Sequence, residues 1–297
     1  MDTPLHVWIQ AARPKTLPAA AAPVLIGTAM AYADGELHVI AAAAACVSAL
    51  LIQIGTNFHN DYADFERGVD QAGRKGPTRV TQAGLVAPDR MRRATGAVFA
   101  AAVLVGAYLI GRGGWPIALI GAASVGSALW YSASSVSLAQ TGWADLFVVA
   151  FFGPVAVGGT YYVQALELPL LVPVVGLGPG LIATAILAVN NLRDVEEDRI
   201  AGKRTLAVRF GPTFARIEYV GCLSAALLIP VVVPILPAGG GRSALGGVLV
   251  LGALVPAIPG VRTVLNRRSG PALNRALART GQVLLVYSVL FAIGWNL

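Results

Sequence analysis

The 297 residues are 56% hydrophobic and only 12% charged, with a mean hydropathy of +0.68. A water-soluble domain carries about twice that charged fraction, so the composition excludes an ordinary soluble enzyme and points to a chain that lies in lipid. The formal net charge of +7 does not mark a nucleic-acid binder, because the bases fall in short connectors between apolar runs. Cys46 and Cys222 stand far apart inside apolar runs and give neither a disulfide framework nor a metal-ligand spacing.

Runs of the length that crosses a bilayer, about 20 residues, recur at 17–34, 38–58, 92–111, 115–133, 143–164, 170–191, 217–237, 243–261 and 277–296. The expectation is an all-α membrane protein of nine transmembrane helices, a single domain over residues 1–297. The seventh and eighth spans are broken by Pro and Gly in "PVVVPILPAGGG" and "LVPAIPG", which neighbouring helices can accommodate. Of 22 Lys and Arg residues, 20 lie in the N-terminal segment and in the connectors after the second, sixth and eighth spans; only Arg112 and Arg242 lie on the other side. That asymmetry predicts a cytoplasmic N-terminus, with those connectors in the cytoplasm beneath the inner cell membrane.

Two of these connectors are unlike the rest. "NFHNDYADFERGVDQAGRKGPTRVTQAG" at 57–84 and "NNLRDVEEDRIAGKRTLAVRFG" at 190–211 together hold eight of the fifteen acidic residues. Each follows an even-numbered span, begins with Asn, runs into spaced Asp and then reaches Gly and basic residues. They stand about 130 residues apart, as parallel repeats rather than the inverted repeats of many transporters.

If the second helix continues through the first connector, Asn60 and Asp64 share a face, with Asp61 beside them. Asp194 and Asp198 repeat that spacing, with Asn190 and Asn191 one turn earlier. Convergence of Asp61, Asp64, Asp194 and Asp198 at one mouth is the expectation, and unpaired carboxylates there would repel one another. Oxygen donors of this kind suit a hard cation, above all Mg²⁺, which completes its octahedron with water and phosphate oxygens. Arg67, Arg74, Lys75 and Arg79 follow the first acids, and Arg193, Arg199, Lys203, Arg204 and Arg209 accompany the second. Acids for a metal and bases for the remaining oxygens are what a metal-bridged diphosphate needs. In a membrane, its natural owner is a polyprenyl diphosphate with its tail in the lipid.

Plainer readings cover other residues. A lone acid at a helix end is usually a solvated charge, which fits Glu66, and Arg90, Arg92, Arg93, Arg267 and Arg268 are assigned to topology alone. His59 is read as a packing residue beside Asn60, and no two His have metal spacing. "GLGPG" at 176–180 predicts close helix approach, and Pro154 and Pro179 predict kinks in the fifth and sixth spans. A secondary transporter is the alternative of a different class. Its acids would sit at the bilayer midplane, whereas these lie at helix ends.

These motifs resemble those of the UbiA superfamily of intramembrane aromatic prenyltransferases, which carries Asp-rich motifs after the second and sixth helices of a nine-helix ring around a central cavity. Asn60, Asp61 and Asp64 match its first motif, Asn-Asp-x-x-Asp-x-x-x-Asp, but Gly68 takes the third acid position and Asp70 follows two residues later. Asp194 and Asp198 match the second, Asp-x-x-x-Asp. "ARPKTLPAAAAPVLIGTAMA", "NDYADFERGVD" with "KGPTR", and "FFGPVAVGGTYYVQ" resemble the branch that prenylates 1,4-dihydroxy-2-naphthoate, where Gly-x-Asp is usual. "WYSASSVSLAQTGWAD" keeps Tyr131 and Asp145 of the family connector but departs from it between them.

The resemblance implies two Mg²⁺ ions held by Asp61, Asp64, Asp194 and Asp198 with Asn60. It implies a diphosphate contacted by Arg79, Asn191, Lys203 and Arg204, and Tyr131, Tyr62 and Tyr162 near an allylic cation. It also implies polyprenyl transfer to the naphthoate with loss of CO₂. Another aromatic acceptor, 4-hydroxybenzoate or homogentisate, is the alternative within the family.

Overall fold

A computed structural model of the protein describes residues 3–66, 68, 79–130, 138, 142–235, 244–266 and 271–297. The protein is an all-α membrane protein. Its helices are α1 (Leu5–Ala12), α2 (Leu17–Ala33), α3 (Val39–Glu66), α4 (Pro88–Gly113), α5 (Trp115–Trp130), α6 (Ala144–Ala165), α7 (Leu171–Arg193), α8 (Val195–Ile200), α9 (Leu206–Ile235), α10 (Leu245–Leu265) and α11 (Pro271–Gly294). Among the described residues, eight helices are long and apolar enough to cross a membrane, and α5 is a shorter apolar helix in the place of the fourth predicted span. Exposed Leu104, Leu119, Leu228 and Val255 turn outward, as suits a lipid-facing surface.

Three departures from the predicted spans matter for the site. First, α3 does not stop at 58 but runs to Glu66, so Asn60, Asp61 and Asp64 lie on its last two turns. Second, α9 starts at Leu206, is capped by the Thr205 side chain accepting from Val208 N, and kinks at Gly211 (φ 84°) ahead of Pro212. Third, the chain begins with α1, too short to span. Its Val7 and Ala11 are buried against α3, and Trp8 packs on Phe58 with ring centroids 5.6 Å apart. Asn57 hooks this segment in place by donating to the Ala12 carbonyl (2.9 Å) and the Thr16 hydroxyl (3.0 Å).

The main core joins α2, α6, α7, α9, α10 and α11 around Ile26, Tyr161, Ile182, Tyr219, Leu284 and Tyr287. Helix α7 is the most enclosed span. Its close approach to α6 depends on glycine: a Cβ on Gly153 would sit 2.6 Å from the Gly176 carbonyl oxygen. The predicted kink in the fifth span is present, as a π turn over Phe151–Val155 with Gly153 outside helical geometry. Pro179 lies inside α7, which stays helical through it.

Candidate functional site

The two acid-rich stretches begin at the C-terminal ends of α3 and α7. The last turn of α7 is tied to the first turns of α11, because Arg193 donates to Asn274 Oδ1 at 2.8 Å. A small apolar cluster of Val7, Ala11, Phe58, Val80, Val86 and Met91 joins α1, α3, α4 and the returning connector around the first stretch.

In the first stretch, α3 ends at Glu66, and Gly68 just beyond it has a φ of 61°, the left-handed conformation that favours glycine, with its N–H donating to Phe65 O. This gives a local reason for Gly at the position where the family motif carries its third acid. Asp64 is ion-paired with Arg79, and the two side chains are only 16% and 6% exposed. Asp61, expected among the metal-facing acids, is instead engaged by backbone: its Oδ2 accepts from Val80 N (3.0 Å) and its Oδ1 from Thr81 N (2.9 Å). Asn60 is half-buried, and His59 Nε2 lies 3.1 Å from Leu129 O, joining α3 to the end of α5 as a packing residue would. Asp70, Arg67, Arg74 and Lys75 lie outside the described residues, as does Tyr131.

The second stretch folds on itself. Asp194 ends α7 and starts α8. The neighbouring Arg193, 3% exposed, holds Asp194 through Nε (2.7 Å) and Nη2 (2.6 Å), and also bonds Asn190 Oδ1 at 2.8 Å. Gly202, with φ 72°, lets the chain turn back after α8, so Lys203 N reaches Asp198 O at 2.9 Å. The same reversal brings Lys203 Nζ to Asp198 Oδ1 at 2.7 Å. Burial, the largest influence, raises the Asp198 carboxyl above its ordinary pKa; Lys203 opposes this, and the charges of Asp194 and Glu197 add to it.

The structure does not bring every predicted site residue together. Asn191 is buried on α7, whereas Arg204 is exposed next to the Lys203–Asp198 pair. Tyr62 packs against the cluster around Phe58, and Tyr162 against Leu109, Ile117 and Val163. Among the described residues no three His, Cys, Asp or Glu side chains are grouped to hold one metal ion. The donor set nonetheless has the chemistry for Mg²⁺: the enclosed carboxylates of Asp64, Asp194 and Asp198, each paired with a cation. Asn274 and the backbone N–H groups of Val80 and Thr81 escaped sequence reading. No motif marks them, because their roles come from chain segments that meet only in the folded state. Asp145 on α6 is buried opposite Glu218 of α9, so acids also occur inside the predicted spans.

The sequence model of the UbiA prenyltransferase family matches residues 20–293. The chain is 34% identical to the 1,4-dihydroxy-2-naphthoate octaprenyltransferase of Escherichia coli (strain K12), covering 97% of this chain and 94% of that one. It is 35% identical to the protein of the same name from Mycobacterium tuberculosis (strain ATCC 25618 / H37Rv), over 96% and 95% of the two chains. Among solved structures, it superposes on a UbiA homolog from Aeropyrum pernix K1 with TM-score 0.66 at 16% identity, over 92% of this chain and 96% of that one. It also superposes on a UbiA homolog from Archaeoglobus fulgidus bound to GPP and Mg²⁺, with TM-score 0.63 at 12% identity, over 96% and 99% of the chains.

Proposed function

Because this chain belongs to the UbiA prenyltransferase family, we propose that it transfers a polyprenyl group from polyprenyl diphosphate to 1,4-dihydroxy-2-naphthoate. The reaction runs at the cytoplasmic face of the inner cell membrane, where the bias of 20 of 22 basic residues puts the motif end and the N-terminus. The observation that carries the reading is the pairing of each motif with its own cation, Asp64 with Arg79 and Asp198 with Lys203, at the ends of apolar helices. The acceptor is supported by relatives of that name, similar over nearly their whole length.

Asp64, Asp194 and Asp198, with Asn60, would hold Mg²⁺; when bound, the metal draws charge from the diphosphate and makes it a better leaving group. Arg79 and Lys203 would bind oxygens of the diphosphate. Arg193 keeps Asp194 oriented, held itself by Asn190 and Asn274. The allylic C–O bond breaks with its electron pair going to the diphosphate. The ring carbon bearing the carboxylate then forms the new C–C bond, and the carboxylate leaves as CO₂; later oxidation gives demethylmenaquinone. The apolar walls of the spans keep water from the allylic cation.

The test supplies purified protein with Mg²⁺, a polyprenyl diphosphate and one aromatic acid at a time. Naphthoate-dependent release of diphosphate and CO₂ is expected. Release only with 4-hydroxybenzoate or homogentisate overturns the choice of acceptor, and metal-independent release overturns the role given to the acids.

A further inference from the structure

Asp61 stands between two residues proposed for the metal, Asn60 and Asp64, yet it does different work. Each step along an α-helix turns about 100°, so Asp64 returns to within about 40° of Asn60, whereas Asp61 points about 100° away from Asn60. Asp61 is 1% exposed, more enclosed than Asp64, Asp194 or Asp198. Both of its oxygens accept backbone N–H groups from a segment 19 and 20 residues further on. That segment begins with Arg79 and closes as a turn, with Ala83 N donating to Arg79 O and Leu85 N to Val80 O. Its other side is fixed by Val80 and Val86, buried against Phe58 and Met91.

We propose that Asp61 is a positioning residue rather than a metal ligand: it clamps the Val80 and Thr81 amides and so delivers Arg79 to Asp64 and to the diphosphate. For the diphosphate this rests on the function proposed above; the clamp itself does not. A carboxylate is the short side chain that accepts two adjacent N–H groups at once, whereas Asn offers one oxygen and turns a donor against the second amide. Holding Arg79 in advance removes the cost of ordering a long, flexible side chain when the diphosphate arrives. The motif's first half thereby reaches across the whole connector for its cation.

The test compares Asp61→Asn, the charge-retaining Asp61→Glu, Arg79→Ala and the Asp61→Asn/Arg79→Ala double variant. Both Asp61 variants are expected to raise KM for polyprenyl diphosphate about tenfold or more, the scale of losing a charge-assisted hydrogen bond. The double variant should be no worse than Arg79→Ala alone, since Asp61 acts through Arg79. Mn²⁺ binding, read by electron paramagnetic resonance, should stay within about twofold of wild type in Asp61→Asn and fall in Asp64→Asn. Amide exchange across 79–86 should accelerate in both Asp61 variants and not in Asp194→Asn. Loss of Mn²⁺ binding in Asp61→Asn, or fully additive KM effects, overturns the proposal. So does unchanged exchange, which reads the clamp even if naphthoate proves not to be the acceptor.

Discussion

The first acid motif is held by residues far along the chain and the second by its immediate neighbours. Asp64 finds Arg79 fifteen residues on, and Asp61 finds the amides that follow Arg79. Asp194 takes the adjacent Arg193, and Asp198 takes Lys203 five residues later across the Gly202 turn. The two halves offer similar chemistry through different folding problems. The second half takes its ion pairs from within α7, α8 and the Gly202 turn, with Arg193 braced further by Asn274 of α11, whereas the first needs the connector to return and dock on the cluster around Phe58. Disturbance far from the acids should therefore reach the first motif more readily than the second.

Removing a charge from either half should have the largest effect. Asp64→Asn and Asp198→Asn are each expected to lower turnover by about a thousandfold or more, with folded protein retained in gel filtration, because a metal clamp needs both sides. Activity within a few-fold of wild type in either would separate that acid from the site.

Arg193→Ala comes next and should act on stability. It leaves the half-buried Asp194, Asn190 and Asn274 without the buried donor they share, a loss of about 2–4 kcal/mol, somewhat below that of a fully buried broken pair. A thermal midpoint unchanged in detergent would show that the local half does not depend on this arginine. Lys203→Ala should raise KM for the diphosphate about tenfold while leaving KM for the acceptor within about twofold. An equal rise in both would remove Lys203 from diphosphate binding. The smallest effect belongs to Glu196→Ala, which breaks an exposed pair with Arg199. Such pairs contribute about 0–1 kcal/mol, so activity should stay within about twofold. A large loss would mean that α8 does more than carry Asp198.

Much of this was legible in the sequence, and the limits have physical causes. Spans follow from the unbroken apolar length that lipid demands, and the shared end of the two motifs follows from the positions of Asn60, Asp64, Asp194 and Asp198 after even-numbered spans. Helix α1 was missed because eight residues cannot span, and its burial of Val7 and Ala11 depends on α3. The extension of α3 to Glu66 runs against hydropathy, since polar residues at a helix end look like connector. Asp61 looked like its neighbours because residue type alone does not reveal which backbone amide a carboxylate meets. Gly68 and Gly202 were visible as glycines, but their role in ending a helix appears only with their positive φ.

The central claim is that both motifs form one Mg²⁺–diphosphate site. It is tested most directly by Mg²⁺-dependent binding of a non-hydrolysable polyprenyl diphosphate analogue to wild type, Asp64→Asn, Asp198→Asn and the double variant. Each single variant should lose the Mg²⁺-dependent binding as completely as the double. Retention of that binding in either single variant would contradict a site built from both.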